Sequence, residues 1–421
     1  MKYNAPRGTH DLWGKQAQNL KTLENRAREV FMRYGYSEIV VPTFEDAGLF
    51  TRSIGDATDI VEKEMYVFED RKGRKLALRP EGTASIVRSY VEQNLAQALP
   101  VSKFFYSGSM FRYERPQAGR YREFYQIGAE YFGNAAPAAD AEIILCARDV
   151  LEAAGVKDMV IHLHTLGCPA CRAEFKKALA AWFSPEKNAA LIEQLCSDCK
   201  RRLGTNPLRV LDCKIDSQKF SGVPRMEEFL CADCRDHFTQ VRELLDSCGC
   251  LYEVDHRLVR GLDYYTRTIF EVRSKALGSQ DALAAGGRYD NLVHEIGGAQ
   301  TPAVGFALGS ERVILAANAA GSVLEPAPRN IIFIAVAAKE LEKEAVRTAA
   351  ILRKTPSAIT IEGPFADKSL KSQFRLADKL GASKVIIFAP EEHTRHAVLI
   401  RDMKTQSQQE LPLTNIGDGV R

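Results

Sequence analysis

Residues 103–133, KFFYSGSMFRYERPQAGRYREFYQIGAEYFG, constrain the fold more than any other stretch. Two aromatic-rich runs flank ERPQAGRYRE, which is too charged and too rich in glycine and proline to be core. A strand alternates its side chains between two faces. Tyr106, Gly108, Met110 and Arg112 therefore share a face in the first run, and Phe124, Gln126, Gly128 and Glu130 share one in the second. The spacing predicts a hairpin that presents Arg112, Gln126 and Glu130 together, with Gly108 and Gly128 leaving room beside them. A merely solvated face would carry Lys, Thr and Ser in place of glycines and aromatic rings. An arginine fixed on a strand suits bidentate grip of phosphate, or stacking on a purine ring.

The rest of the chain supplies neighbours for such a sheet. LKTLENRAREVFMRY, residues 20–34, has apolar positions at helical spacing, with Gly35 to stop it. SEIVVPTFEDAGLF reads as a strand interrupted by Pro42, an edge feature. YVFED and KLALR read as strands, TASIVRSYVEQNLAQA and DAEIILCARDVLEAAG as helices. From about 165 to 250 the pattern becomes helical and cysteine-rich, then extended segments resume at LVRGLDYYTRTIFEVRS, as after an insertion. There Tyr264, Tyr265, Thr266 and Thr268 favour a strand reached through a turn at Gly261. A glycine-rich patch, AAGGRYDNL, precedes TPAVGFALGSERVILAANAA, a strand leading into a helix. GSVLEPAPRN reads as a linker, and beyond Arg329 buried strands alternate with helices. The expected class is α+β. An antiparallel-sheet core covers 1–164 and 251–325, a mostly helical insertion 165–250, and an α/β domain 329–421.

A chain of 421 residues exceeds one ordinary core. Its net charge of +3 advertises no polycation, so contact with nucleic acid must come from local patches. The opening MKYNAPRGTHDLWG lacks a signal peptide's apolar centre, and no apolar run reaches about 18 residues, so a cytoplasmic protein without membrane contact is expected. Of ten cysteines, all but Cys146 lie between Cys168 and Cys250. Without an export signal, that clustering favours metal or reduced thiols over disulfides.

FRYE, followed by a basic loop and a returning strand, resembles the second signature motif of class II aminoacyl-tRNA synthetases. EIVVPTFED, with Pro42, resembles their first, which builds a dimer interface, and GFALGSER resembles their third. PRGTHDL, LRPEGTA, LVRGLDYYTRT and AAGGRYDNL are more specific, and in this order they resemble the histidyl-tRNA synthetase family. The resemblance spans the chain, and the C-terminal module is similar to that family's anticodon-binding domain. It implies ATP- and Mg²⁺-dependent activation of L-histidine to histidyl-adenylate. Transfer to tRNA(His) follows, with AMP and pyrophosphate released and a homodimer as the working unit.

Roles follow by the same resemblance. Glu81 and Thr83 hold the α-ammonium of histidine, although Glu81 in PEGT is equally a turn residue and Thr83 a helix N-cap. Gln126 orients the substrate carboxyl. Glu130 reads one imidazole nitrogen, and Tyr264 and Tyr265 provide for the other, because a histidine ring needs polar partners at both. Arg112 and Arg260 meet the α-phosphate, where charge stabilisation is the main catalytic demand. Arg312 opposes the dipole of the helix starting near Ser310, yet beside a triphosphate the two act in one direction. Gly286 and Gly287 form a tight turn or let backbone approach the histidine, with Tyr289 beside that pocket. Arg115, Gln117, Arg120 and Arg122 lie in the hairpin loop, which meets the tRNA acceptor end in that family. Asp263 has no role by this reading.

Cys168-Pro-Ala-Cys171, Cys196-Ser-Asp-Cys199 and Cys231-Ala-Asp-Cys234 are CxxC pairs, with Cys213, Cys248 and Cys250 nearby. Two pairs suffice for a structural Zn²⁺ site in the insertion, and spacing does not choose which. No βαβ pattern supports a thioredoxin-like role. Two rival readings have discriminators. A regulatory relative, the synthetase-like subunit of ATP phosphoribosyltransferase, would depart from LVRGLDYY and lack the C-terminal module. A zinc-dependent nucleic-acid-binding protein would leave Glu81, Arg112 and Glu130 idle.

Overall fold

The computed structural model describes residues 3–55, 58, 60–99, 101–213, 215–322, 324, 330–354 and 359–419. The chain divides into two compact units, 1–326 and 327–421. Residues 325–329 of the expected linker lie outside the described residues.

An eight-stranded sheet organises the first unit, in the order Ser37–Glu38, Ser102–Phe111, Glu123–Phe132, Ala303–Gly309, Ala282–Arg288, Thr266–Arg273, Val160–Thr165 and Tyr252–Val254. The pairs at its two edges are parallel and all pairs between them antiparallel. Helices Lys15–Arg33, Pro137–Ala153 and Ser310–Ala319 contribute Phe31, Ile144 and Val313 to the apolar core along this sheet. Pro42 falls between Ser37–Glu38 and a second strand, Phe44–Asp46, which belongs to a separate three-stranded sheet with Lys75–Leu78 and Val67–Glu69. Proline cannot donate to a ladder, so the break follows from its chemistry.

The insertion is helical, with Pro169–Trp182, Pro185–Glu193, Ser197–Thr205 and Ala232–Ser247. Its Cys171, Phe175, Cys199, Leu208 and Cys234 share one buried cluster with Tyr106 of the sheet and with Tyr264, Tyr265 and Tyr289 at the ends of its strands. Apolar burial is roughly proportional to area, so this continuity couples insertion and sheet energetically. The second unit has a five-stranded sheet ordered Ile359–Glu362, Asn330–Val336, Lys384–Phe388, Ala397–Asp402 and Gln408–Pro412. Its first three strands are parallel, and two antiparallel strands finish the edge. The last strand is mostly exposed, which is why apolar pattern did not announce it.

Several local expectations are corrected. Gly286 and Gly287 lie inside a strand, not in a turn, and a Cβ on Gly286 would strike the Gly305 carbonyl of the next strand. Tyr264 and Tyr265 precede their strand, which begins at Thr266. The room left by Gly108 and Gly128 is filled by the protein itself, by Arg79 and by the Tyr106 ring. Arg79 uses that space to donate to the carbonyls of Ser109 and Val41 (2.8 and 2.9 Å), clamping the hairpin to the segment before Pro42.

Candidate active site

Cross-strand register builds the cleft. Glu130 pairs with Gly305, and Gly305 with Gly287, so no side chain stands above the Glu130 carboxyl from these strands. A Cβ on Gly305 would collide with Glu130 Oε2. Four residues earlier on the same strand Gln126 pairs with Gly309, the residue before the helix that carries Arg312. At the usual strand rise, Glu130 and Gln126 lie roughly 13 Å apart along their strand. Gln126 faces the cleft, whereas the fully buried Glu130 stands behind the lining of the cleft. Glu81, Thr83, Arg112, Gln126, Arg260, Tyr264, Tyr265 and Arg312 all line it. The cleft holds about 980 Å³ of empty space, part of it open to solvent.

At one end the groups are acidic and phenolic. Glu130 is fully buried, and its oxygens accept from the Thr83 hydroxyl (2.6 Å) and the Tyr289 hydroxyl. Burial pushes its pKa up to about 8 although both hydrogen bonds oppose the shift. Thr83 is the first residue of helix Thr83–Glu92, not its N-cap. The cap is provided by Glu81, whose oxygens accept from the backbone of Thr83 (2.7 Å) and Ala84 (2.9 Å). Each oxygen keeps a lone pair. Burial raises the Glu81 pKa against those donors. Tyr264 packs against Tyr265 and Tyr289, with ring centroids 4.7 and 5.6 Å away. Tyr106 donates to Gln126 Oε1 (3.2 Å), leaving the Gln126 amide N–H groups for another acceptor.

Arginines dominate the other end. Arg112 donates to the Pro80 carbonyl (2.8 Å) and stacks 5.3 Å from the Phe124 ring centre. Arg312 donates to the carbonyls of Gly119 (3.1 Å) and Ala282 (3.2 Å), which holds the hairpin loop against its helix. Arg120 turns from that loop into the cleft and pairs with Glu114. Burial lowers the pKa of Arg112, Arg120 and Arg312. Arg260 differs: burial again lowers its pKa, but Glu271, Tyr265 and Asp212 together outweigh burial and raise it. Glu271 also receives Arg273 at 2.5 Å.

Arg115 and Gln117 stay outside, exposed on the loop, and Arg122 stacks 3.8 Å from the centre of the Tyr113 ring. Asp263 acquires a structural task. It accepts from the Asn206 side chain (2.9 Å) and its backbone N–H donates to Ile54 (3.1 Å), tying its loop to the insertion and to a helix end. Sequence reasoning missed Tyr106, Glu114 and Glu271. Glu271 and Arg273 alternate on one strand face just after LVRGLDYY, and that alternation was a usable signal.

The cysteines divide into two clusters. Cys168, Cys171, Cys231 and Cys234 converge, as do Cys196, Cys199 and Cys213 with Asp216, the latter carboxylate unforeseen from the sequence. Cys248 and Cys250 belong to neither cluster. No helix among the described residues is long and apolar enough to cross a membrane.

Comparison with known proteins gives the family. A sequence model described as histidyl-tRNA synthetase matches residues 8–313, and one described as an anticodon-binding domain matches 331–421. A histidine--tRNA ligase of Endomicrobium trichonymphae is 54% identical over 97% of this chain and 99% of its own length. One from Aquifex aeolicus is 44% identical over 99% of this chain and 100% of its own. The apo histidyl-tRNA synthetase of S. aureus superposes with a TM-score of 0.82 at 32% identity, covering 99% of both chains. A Bacillus halodurans protein titled ATP phosphoribosyltransferase regulatory subunit/histidyl-tRNA synthetase covers 92% of this chain and 98% of its own at TM-score 0.67, but at 21% identity it shares the fold alone. With the family matched over both units and relatives collinear along its length, the chain belongs to the histidyl-tRNA synthetase family.

Proposed function

We propose that the cleft joins histidine to ATP and then to tRNA(His), with each end of the cleft holding one substrate. A histidine carboxylate oxygen attacks the α-phosphorus and pyrophosphate leaves, giving histidyl-adenylate. A terminal ribose hydroxyl of the tRNA then attacks the acyl carbon and AMP leaves. ATP enters as its magnesium complex, so the ion arrives as part of the substrate.

The free lone pairs of Glu81 and the Thr83 oxygen accept the α-ammonium. Thr83 can do so because its own proton goes to Glu130. Gln126, oriented by Tyr106, donates to the substrate carboxylate. Glu130 takes one ring nitrogen, with Tyr264 and Tyr265 at the other. Arg112 and Arg260 stabilise charge developing at the α-phosphate, and Arg312 holds the outer phosphates. Because carbonyls and Glu271 fix these arginines beforehand, little reorganisation is needed when charge develops. The exposed loop bearing Arg115 and Gln117 meets the tRNA acceptor end, and the second unit reads the anticodon.

The working unit is a homodimer, a reading supported by apolar side chains left on the surface near Pro42. Val40 is 87% exposed and Phe44 52%, with Val67 and Phe68 exposed on the same small sheet. The location is the cytoplasm, where tRNA is charged.

One observation carries the proposal: buried carboxylates and tyrosines face arginines across a single cleft. Histidine-dependent exchange of pyrophosphate into ATP tests it. Exchange that requires histidine is expected, and its absence with competent Mg-ATP overturns the activity in favour of a non-catalytic relative.

A further inference from the structure

The first cysteine cluster has the construction of a metal site. All four sulfur atoms lie within 4.8 Å of one another, and Cys168 Sγ stands 3.5 Å from Cys171 Sγ. Tetrahedral zinc with Zn–S of about 2.3 Å sets neighbouring sulfurs about 3.8 Å apart. All four cysteines are free, and 3.5 Å is far outside a disulfide bond of about 2.05 Å.

The surroundings are reciprocal. Cys168 caps helix Pro169–Trp182, and Cys231 caps helix Ala232–Ser247, so each pair straddles the start of a helix. The backbone N–H of Cys168 donates to Cys234 Sγ, and that of Cys231 to Cys171 Sγ, both at 3.2 Å. Backbone N–H groups aimed at sulfur are the outer-shell partners that orient thiolate ligands around a metal. Cys171 and Cys234 are buried while Cys168 is partly exposed and Cys231 exposed, which closes the site yet leaves a side through which an ion can load.

The cluster also sits directly behind the substrate loop. Arg172, next to Cys171, donates to the carbonyls of Tyr265 (2.7 Å) and Asp263 (3.3 Å). Gly167, next to Cys168, accepts from the Arg267 backbone (2.8 Å), and Leu166 donates to the Arg267 carbonyl (2.7 Å). A Cβ on Gly167 would stand 2.6 Å from Cys171 Cβ, so this strand-like contact is pressed against the cysteines.

We propose that Cys168, Cys171, Cys231 and Cys234 bind one zinc ion as four thiolates, and that the bound ion positions the loop carrying Tyr264 and Tyr265. The positioning half rests on the assignment of those tyrosines to histidine, whereas the metal half does not. Closing the two pairs around zinc crosslinks the starts of both helices and fixes the segment from which residues 263–267 hang. The second cluster is a separate matter: Asp216 there already accepts from the Cys196 backbone and from Lys219, and the measurement is a difference that does not depend on it.

The full chain is expressed with zinc supplied and its metal content compared with that of a Cys171→Ser/Cys234→Ser variant. One zinc ion fewer per chain is expected in the variant. Cobalt-substituted wild type is expected to show thiolate charge-transfer and tetrahedral ligand-field bands that the variant loses in part. In pyrophosphate exchange the variant's KM for histidine rises roughly ten- to hundredfold with its KM for ATP nearly unchanged. Stripping wild-type protein with a mercurial and restoring zinc returns the histidine KM, which serves if the variant fails to fold. Equal zinc content in the two proteins, or wild type that takes up neither zinc nor cobalt, overturns the site. One zinc fewer with an unaltered histidine KM overturns the positioning role alone.

Discussion

At the end of the cleft around Glu130 the side chains satisfy one another, and at the end around Arg312 they lean on backbone carbonyls. Thr83 and Tyr289 both donate to Glu130, and Tyr106 donates to Gln126. Arg112 and Arg312 instead donate to Pro80, Gly119 and Ala282, which fixes their direction, while Glu114 and Glu271 offset only part of the charge of the four arginines Arg112, Arg120, Arg260 and Arg312. On the proposed function, the first end is a closed hydrogen-bonded network that reads a small polar ring, and the second keeps a surplus of positive charge for phosphates. Specificity and catalysis thus draw on different electrostatics within one sheet.

The largest effect is expected where the second end is cut. Arg260→Ala should lower histidine-dependent exchange by roughly 10²–10³. The fold should survive, because Glu271 retains Arg273 at 2.5 Å, and a thermal melt checks that point. Near-normal exchange in a folded variant breaks the comparison at its stronger end.

Glu130→Gln probes the first end in two ways. Loss of an ionisable acceptor for the ring should raise the histidine KM roughly 10–100-fold, leaving the ATP KM nearly unchanged. In the absence of histidine the same variant should be the more stable protein at pH 8. The Glu130 carboxyl shifts from 4.5 to about 8 on folding, so between these limits the folded state binds the extra proton. Wild-type stability from this group is therefore full below pH 4.5, and is lost by about 1.4 kcal/mol per pH unit as pH rises towards 8. Denaturant melts across that window should show a slope that Glu130→Gln reduces, the remainder coming from Glu311, which burial raises to about 7, and from Glu81, also raised by burial. A slope unchanged by the substitution would place the titration elsewhere.

How much of this was legible in the sequence differs between the ends as well. The hairpin, Arg112, Gln126 and Glu130 follow from a period of two, and Arg312 from a strand running into a helix. Those are local patterns. Tyr106 behind Gln126 and Ala282 under Arg312 come from hairpin register and from helix packing on a strand, and the fold of the Arg260 turn onto Glu271 is likewise set by packing. No pattern within a single run encodes such partners, although Glu271 itself was visible in its alternation with Arg273. Glycines misled for the same reason. Gly108 and Gly128 announce a close approach, but only the folded sheet shows that Arg79 and Tyr106 do the approaching. The cysteines are parallel, since CxxC spacing fixes each pair and tertiary structure alone joins the first pair to the third.

A milder cut sharpens the first end. Tyr264→Phe removes one hydroxyl from a buried ring that remains packed by Tyr265 and Tyr289. The histidine KM should rise about fivefold, near 1 kcal/mol, with kcat and the ATP KM held. An effect confined to kcat would move Tyr264 from the ring to the reacting carboxylate.

The smallest effects should come from outside both ends. Arg115 and Gln117 are exposed on the hairpin loop, whereas Arg120 of the same loop is inside the cleft, paired with Glu114. If the loop's outer face meets tRNA, Arg115→Ala should leave pyrophosphate exchange intact and weaken tRNA binding about fivefold. The slope of log affinity against log salt should fall by about 1, because one phosphate contact is lost. Gln117→Ala should weaken binding without altering that slope, since an amide releases no counterion. Arg120→Ala should do the reverse of Arg115→Ala, impairing exchange more than tRNA binding, because its guanidinium adds to the charge held for ATP. Equal losses of exchange in both arginine variants would mean that the loop works only as a wall of the nucleotide site.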